Sequence, residues 1–444
     1  MVHKYRFNDV NIVLDVNSGS VHVFSDCAFA ALDSYKSQHL VLDGFTAEET
    51  QEAYAEIAEL EAQGLLFSED ISQEVLKQAQ SRQPVVKALC LLVAHDCNLK
   101  CAYCFAGEGE YRGERGMMSI ETACKAVDFL IRNSGTRRNL EIDFFGGEPL
   151  MNFDVVKAVV AYATSLEAQY NKNFRFTLTT NGLLLNDENL EYINRYMDNL
   201  VFSLDGRKAV NDAMRFTKNG GGSYDLIVPK LVKAAQSRIG KDFYVRGTFT
   251  RHNLDFGKDV LHLASLGFKN ISVEPVAGGV NNEFEIKGAD LGAACSEYDQ
   301  LALGIIKRKG TEESFNFFHF MIDLAGGPCA AKRLYGCGAG AEYLSVSADG
   351  SIYPCHQFAG IQEFKMGTVD GLDEEKAATL RANFEQCNVL SKDECKNCFA
   401  KFYCGGGCAA NAYLANHDIN KPYEPGCVLQ KKRTEVAIGL KAFE

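Results

Sequence analysis

The chain has 444 residues, of which 46% are hydrophobic, and this length and composition are typical of a globular protein with two or three domains. Its formal net charge of −12 leaves no basic excess to neutralise phosphates, which argues against nucleic acid as a partner. There is no apolar signal segment and no membrane-length apolar run, so we expect a cytoplasmic protein without membrane contact. Sixteen cysteines in that compartment indicate metal or redox chemistry rather than disulfides.

Residues 1–80 are predicted to form a small separate module. Two short apolar runs, 12–16 and 21–24, flank an Asn-Ser-Gly-Ser sequence and predict a β-hairpin. Two helices are predicted next, one over 27–35 and one from a Thr46 N-cap to about residue 63. The polar stretch 68–83 is predicted to be a linker helix.

The part from 85 to 310 alternates apolar strands with amphipathic helices. This alternation predicts an α/β fold with a parallel sheet and right-handed crossovers. A further helix, 291–309, is predicted to lead into the last third of the chain. The predicted strands are 88–94, 140–145, 174–180, 200–204, 243–250 and 271–276, and the helices between them are 120–132, 154–167, 189–196, 225–237 and 257–266.

Three cysteines, Cys97, Cys101 and Cys104, follow the first predicted strand. Thiolates this close in sequence can converge on one metal or cluster. The pattern Cys-x3-Cys-x-Tyr-Cys resembles the signature of the radical S-adenosylmethionine (SAM) family. The resemblance implies a partial (β/α)6 TIM barrel and a catalytic [4Fe-4S] cluster on these cysteines, whose fourth iron is free to bind SAM.

Polar sequences also follow the next predicted strands, and the C-terminal ends of parallel barrel strands share one mouth. The Gly-Gly-Glu-Pro run resembles the family's SAM-contacting motif, in which glycines allow close approach of backbone to ligand and Glu148 accepts from the SAM ammonium. A guanidinium suits the SAM carboxylate, whereas Tyr103 is either an adenine contact or a core aromatic. The candidate SAM contacts are Tyr103, Gly146, Gly147, Glu148, Pro149, Asn181, Ser203 and Arg246.

Residues 311–444 contain a second group of cysteines, whose spacing resembles the SPASM extension of radical SAM enzymes with its two auxiliary [4Fe-4S] clusters. For the run 395–408 a zinc ribbon is the alternative, since both share the two-residue cysteine spacing. Cys27, Cys90, Cys124 and Cys295 are predicted to be buried apolar residues, and Cys387 is left unassigned. The resemblance implies one cluster on Cys395, Cys398, Cys404 and Cys427, and another on Cys337, Cys355 and Cys408, with Cys329 as fourth ligand or the position open to a substrate thiol.

The N-terminal hairpin and helices resemble the winged-helix domain with which peptide-modifying enzymes bind a leader peptide as an added strand; a capping subdomain is the alternative. With the two auxiliary centres and the sequence 95–101, the whole chain resembles the maturases of six-cysteine (SCIFF) peptides, which are of the sactipeptide synthase type. The resemblance implies three [4Fe-4S] clusters, SAM, a ribosomal precursor peptide with its leader, and an electron donor such as flavodoxin or ferredoxin. The implied reaction is hydrogen abstraction by a 5′-deoxyadenosyl radical and a two-electron oxidation that joins a cysteine sulfur to an acceptor α-carbon.

Two other functions remain open from the sequence. Anaerobic sulfatase maturases, which form formylglycine, resemble this chain in barrel and extension. They carry an aspartate after the cysteine that matches Cys355, where this chain has His356, and they lack the N-terminal module. A non-enzymatic iron–sulfur or zinc protein is the third possibility, and it predicts no SAM binding.

Overall fold

The computed structural model describes residues 1–36, 41–81, 84–277, 283–324 and 334–443. Its N-terminal part is a three-stranded antiparallel sheet in the order β1-β2-β3, followed by three helices. The predicted hairpin is confirmed as β2 and β3, while β1 was not predicted. The elements are β1 (Val2–Phe7), β2 (Val10–Asp15), β3 (Val21–Phe24), α1 (Asp26–Ser34), α2 (Ala47–Ala62) and α3 (Ser72–Gln80).

Side chains of the central strand β2 point alternately to its two faces, as the period of a strand requires. Val13 packs in a small core with α1 and α2, whereas Ile12 and Leu14 belong to the main core of the molecule. Helix α2 begins at Thr46 as predicted, because the Thr46 hydroxyl and the Glu49 carboxylate each accept the other residue's backbone N–H.

Within the described residues, the centre of the molecule is an eleven-stranded sheet. Its six barrel strands run parallel in the order β4-β6-β7-β8-β10-β11, and β12 and β13 pair in parallel with the two ends of this row. These six strands and the five predicted helices between them match the prediction to within a few residues, whereas α7 was not predicted. Two short strands, β5 and β9, pair outside this sheet. The elements are β4 (Ala88–Ala94), β5 (Leu99–Cys101), α4 (Ile120–Asn133), β6 (Asn139–Gly146), α5 (Phe153–Tyr170), β7 (Asn173–Thr180), α6 (Asp187–Tyr196), β8 (Asn199–Ser203), α7 (Lys208–Met214), β9 (Arg215–Thr217), α8 (Tyr224–Ser237), β10 (Asp242–Phe249), α9 (Phe256–Ser265), β11 (Asn270–Pro275), α10 (Leu291–Arg308) and β12 (Asn316–Phe317).

The C-terminal third extends this same sheet. Strand β13 pairs in parallel with β4, the first barrel strand, and β14 to β16 follow in antiparallel order. The sheet therefore runs across the border predicted at residue 310. The elements are β13 (Tyr343–Val346), β14 (Ser351–Tyr353), β15 (Gly367–Thr368), β16 (Gly371–Leu372), α11 (Glu374–Gln386), α12 (Asp393–Lys396), α13 (Lys401–Cys404), α14 (Ala409–Asn416) and α15 (Glu424–Lys441).

The N-terminal part contacts the segment between Cys398 and Cys404. The His3 ring lies parallel to the Phe399 ring with 3.5 Å between centroids, and buried Lys401 bonds to Asp70 at 2.9 Å. The Tyr5 hydroxyl donates to a backbone carbonyl of α15. Within the described part of the chain, no helix is both long enough and apolar enough to cross a membrane.

Candidate active site

A cavity of about 860 Å³ lies where the barrel strands β6, β7 and β8 end, between the barrel and the C-terminal third. Both groups of cysteines reach it. Cys97, Cys101 and Cys104 line its barrel side, and Cys337, Cys404, Cys408 and Cys427 line its other side. Two sets of thiols that lie far apart in sequence thus line one cavity.

The loop with Cys97, Cys101 and Cys104 is held by the pairing of β5 with β9, in which Cys101 lies opposite Arg215. Burial, with smaller contributions from neighbouring thiols, raises the pKa of Cys97 to about 12 and that of Cys101 to about 11. The three predicted cysteines are thus neighbours at the cavity. Their raised pKa values keep the thiols largely protonated when they carry no metal. Binding a metal or cluster would release these protons.

Gly146 and Gly147 make room for that loop. A Cβ atom on Gly147 would collide with the carbonyl oxygen of Asp96, and one on Gly146 with that of Ala94. The Gly147 N–H donates to the Ala94 carbonyl at 2.7 Å, and the Glu148 N–H donates to the Asp96 carbonyl at 3.0 Å. The structure thus gives both glycines a packing role against the cysteine loop. Both also line the cavity, and their close approach to a ligand stays a prediction.

Glu148 lines the cavity and is fully buried. Its carboxylate accepts from the Thr180 hydroxyl at 2.8 Å, the Asn181 N–H at 2.8 Å and the Leu150 N–H at 3.1 Å. Burial raises its pKa to about 7, against the effect of these donors. Because a carboxylate offers about four lone-pair positions, one remains for a ligand ammonium.

The other predicted SAM contacts divide into two groups. Asn181, Ser203 and Arg246 line the cavity, and the Asn181 amide donates to Asn98 in the cysteine loop at 2.7 Å. Pro149 does not line it, because this residue opens a short 3-10 helix and is itself buried.

Tyr103 lines the cavity within a charge network that sequence reasoning missed. Its hydroxyl donates to both carboxylate oxygens of buried Asp205, at 2.9 and 2.7 Å. Asp205 also accepts from the Arg215 guanidinium at 3.0 Å, and that guanidinium lies over the Tyr103 ring. Asp205 stands directly after a predicted strand, a usable signal, whereas Arg215 is brought in by the non-local pairing of β9.

A second charged group, centred on Glu274 at the end of β11, was also missed. The Arg433 guanidinium donates to His319 Nδ1 at 3.0 Å, and His319 Nε2 faces the Glu274 carboxylate at 3.4 Å. Burial lowers the pKa of His319 to about 4. Because Nδ1 accepts from Arg433, Nε2 is the nitrogen assigned the proton of the neutral ring. Glu274 also faces Arg246 and thereby joins this group to the predicted SAM contacts.

The C-terminal cysteines come together in the two predicted groups. Cys355, Cys408 and Cys337 are electrostatic neighbours, and so are Cys395, Cys398, Cys404 and Cys427. Burial is the main reason that the pKa of Cys395 rises to about 12 and that of Cys427 to about 11. Their roles as ligands stay predictions.

The remaining cysteines differ in their surroundings. The Cys387 thiol donates to the Ile419 carbonyl at 3.1 Å, and Cys329 lies outside the described residues. Cys27 and Cys90 are buried as predicted, whereas Cys124 and Cys295 are only partly buried. Across the described ranges, no three His, Cys, Asp or Glu side chains are close enough together to hold a single metal ion.

The central part of the chain matches a known protein family. Residues 91–252 match the model of the Radical SAM superfamily, so the chain contains a radical SAM domain. Uncharacterized protein MJ0907 of Methanocaldococcus jannaschii is 30% identical over 190 residues, which are 43% of this chain and 62% of that protein. The chain thus spans less than two thirds of this relative.

Two relatives with named functions also match. The cysteine-type anaerobic sulfatase-maturating enzyme of Clostridium novyi is 23% identical over 73% of this chain and 89% of its own length. The antilisterial bacteriocin subtilosin biosynthesis protein AlbA of Bacillus subtilis is 25% identical over 62% of this chain and 56% of its own.

Solved structures share the fold. Native anSMEcpe with bound AdoMet superposes with a TM-score of 0.64 at 18% identity, over 80% of this chain and 98% of that one. Streptococcus suis SuiB bound to its precursor peptide SuiA has a TM-score of 0.54 at 16% identity, over 94% and 96%. At these identities the likeness concerns the fold alone.

Proposed function

We propose that this chain, whose residues 91–252 form a radical SAM domain, is an enzyme that installs a thioether in a cysteine-rich ribosomal peptide. The bond joins a cysteine sulfur to an acceptor α-carbon, with loss of two hydrogens. One leaves as a hydrogen atom, and the other as a proton and an electron. The observation that carries the proposal is the single cavity lined by both groups of cysteines.

The residues around the cavity fit the groups that this chemistry requires. Cys97, Cys101 and Cys104 would hold a [4Fe-4S] cluster whose free iron binds SAM, and the fully buried Glu148 would accept from the SAM ammonium. When reduced, such a cluster supplies the electron that splits SAM and yields the hydrogen-abstracting radical. The seven C-terminal cysteines would hold two further clusters that accept the electron from the substrate.

The chain's own side chains hold the site in shape. The Asp205 carboxylate fixes the Tyr103 hydroxyl and the Arg215 guanidinium beside the cysteine loop. The Gly146–Glu148 segment hydrogen-bonds to the backbone of the same loop.

For peptide recognition we propose the N-terminal part. In the described residues, strand β3 pairs only with β2, so its other edge is available to a leader peptide as an added strand. The SuiA-bound SuiB structure supports a peptide as the substrate of this fold.

Formylglycine formation is the second candidate, and the sulfatase-maturating relative favours it. His356 stands where those enzymes carry their aspartate. Burial lowers the pKa of His356 to about 4, and its Nδ1 faces the Tyr343 hydroxyl at 3.2 Å. This position therefore lacks the carboxylate of the sulfatase maturases, and that difference favours the thioether reaction.

The decisive experiment is an anaerobic assay of the reconstituted protein with SAM, a reductant and a cysteine-rich precursor peptide. We expect 5′-deoxyadenosine and a peptide that is lighter by about 2 Da, the mass of two hydrogens. Fragmentation of this peptide should show a bond from sulfur to an α-carbon. A serine or cysteine converted to formylglycine would instead support the second candidate. No 5′-deoxyadenosine at all would contradict both.

A further inference from the structure

The Arg246 guanidinium lines the cavity and is accessible there, with 59% of its side chain exposed. Among the described residues this side chain makes no hydrogen bond, and its one ion pair is with the Glu274 carboxylate at 3.9 Å. That distance is too long for a hydrogen bond. Because a guanidinium presents a planar fork of N–H donors that matches a carboxylate, Arg246 has this fork available for a ligand.

Within the described residues, the charges around Arg246 do not balance. Arg433 lies 3.5 Å from the same Glu274 carboxylate, and its other partners, His319 and Gln430, are neutral. Two guanidiniums that cannot lose their protons thus share one carboxylate. This part of the cavity wall therefore has one positive charge more than its side chains neutralise, which favours an anionic ligand.

Arg246 belongs to the side of the cavity that leads to the C-terminal cysteines. After burial, its charge is the second cause of the lowered pKa of His356, the residue next to Cys355. The guanidinium beside the first cysteine loop is instead that of Arg215, which faces the Cys101 sulfur at 3.8 Å. A molecule that extends from that loop to the C-terminal cysteines therefore passes Arg246.

We propose that Arg246 binds a carboxylate of the substrate peptide, namely an Asp or Glu side chain close to the crosslinked residues. This inference rests on the proposed function and adds a feature of its substrate. The peptide carboxylate replaces the SAM carboxylate that the sequence predicts as the partner of Arg246. A forked pair of hydrogen bonds holds the peptide between the two groups of cysteines and discriminates against the uncharged amide side chains.

The test is a double-mutant cycle in which both the protein and the peptide are changed. Two synthetic cysteine-rich peptides differ only at the positions beside their cysteines, which are Glu in the glutamate peptide and Gln in the glutamine peptide. Binding of each fluorescently labelled peptide is measured by anisotropy on the reconstituted full chain, with SAM and without reductant, so that no turnover occurs.

We expect the unaltered chain to bind the glutamate peptide about 10- to 100-fold more tightly, the range of a hydrogen bond to a charged group. Arg246→Met should bind both peptides equally, whereas Arg246→Lys should keep part of the preference, because it retains the charge and loses the fork. Arg175→Met is the matched control: Arg175 is exposed on β7 and does not line the cavity, so the full preference should remain.

Equal binding of the two peptides by the unaltered chain, or binding of neither, would overturn the inference without need of any variant. A preference that survives in Arg246→Met would also overturn it. If Arg246→Met instead weakens SAM binding and keeps the preference, its partner is the SAM carboxylate. The proposed function fails separately: a chain that prefers the glutamate peptide, yet forms no thioether once reductant is added, contradicts the reaction and not the carboxylate site.

Discussion

Asp205 is fully buried and accepts hydrogen bonds from three groups that come from different parts of the barrel. These are the Tyr103 hydroxyl, the Arg215 guanidinium and the Thr248 N–H. Only Tyr103 was singled out from the sequence, because its partners are set by strand pairing rather than by local spacing. Tyr103, whose role the sequence left open, thus both hydrogen-bonds to a buried carboxylate and lines the cavity.

Replacement of Arg215 by Met should destabilise the protein strongly. It leaves the buried Asp205 carboxylate without its cation, a change that typically costs about 3–5 kcal/mol. Urea unfolding of the metal-free protein measures this loss. Lys233→Met is the matched control: it breaks an exposed pair with Asp187, for which we expect less than about 1 kcal/mol. Equal effects of both changes would contradict a buried ion pair.

The two groups of cysteines should separate in their effects on activity. Cys97→Ala should abolish SAM cleavage, because the reducing cluster loses one of its three thiolates. Cys337→Ala should retain some cleavage and lose crosslinking, because only the auxiliary centre is damaged. Measuring 5′-deoxyadenosine and peptide mass side by side distinguishes them, with Cys124→Ala, on the outer helix α4, as control. Cleavage that survives in Cys97→Ala would rule out this cluster as the reductant.

Among the elements, those with a strong periodic pattern were predictable from sequence. Strand β4 is buried at all seven positions and reads as one apolar run, and the other five barrel strands follow the same rhythm of strand and helix. Strand β1 was missed because its residues are mostly half-buried and mixed in polarity. The three-residue strands β5 and β9 are too short to carry a pattern, although their pairing positions Arg215.

The junction of β6 with the cysteine loop should be sensitive to a single methyl group. Gly147→Ala places a Cβ against the Asp96 carbonyl, so the loop must shift. We expect the variant to lose the iron and sulfide of the first cluster and to keep the rest, as elemental analysis would measure. Gly116→Ala, where the added Cβ meets no atom within 4 Å, is the control. A full complement of iron in Gly147→Ala would show that the loop tolerates the shift.

The contact between the N-terminal part and segment 398–404 should depend on Asp70. Asp70→Asn leaves the buried Lys401 ammonium without its carboxylate, and we expect a loss on the order of 1–3 kcal/mol. Hydrogen exchange of β1 and β2 should then become faster. Asp33→Asn, in an exposed pair with Lys4, should leave exchange unchanged. Exchange that stays slow in Asp70→Asn would assign the contact to the His3–Phe399 stack alone.

The same pair gives this contact a pH dependence. Burial alone would raise the pKa of Asp70, but hydrogen bonds from Lys401 and Ser72 lower it to about 2. Because the pKa is lower in the folded state, the stabilisation is complete above the ordinary carboxylate range and is lost as the pH falls toward 2. Hydrogen exchange of β1 across that range would show the loss, which should be absent in Asp70→Asn.

For the molecule as a whole, one continuous sheet joins the barrel to the C-terminal third across the predicted domain border. The sequence places a border at 310, where a helix ends and the pattern of cysteines begins. Strands β4 and β13 pair although they lie roughly 250 residues apart in the chain. Local sequence carries no signal for such a pairing, so only the structure reveals it. The borders at 80 and 310 remain predictions.

A shortened chain of residues 84–310 should therefore aggregate. Without β13, the buried strand β4 becomes an edge with unpaired N–H and C=O groups and apolar side chains on both faces. The full chain keeps β13 and should stay largely monomeric. Size-exclusion chromatography of the two chains measures the difference. A monomeric 84–310 chain would show that the β4 edge is protected in another way.

Strand β13 also limits how this protein can be recombined. A graft that exchanges the cysteine-rich third with that of a distant relative brings in a foreign β13, which must match the register and side chains of β4. We therefore expect such chimaeras to fold when the donor supplies β4 together with β13.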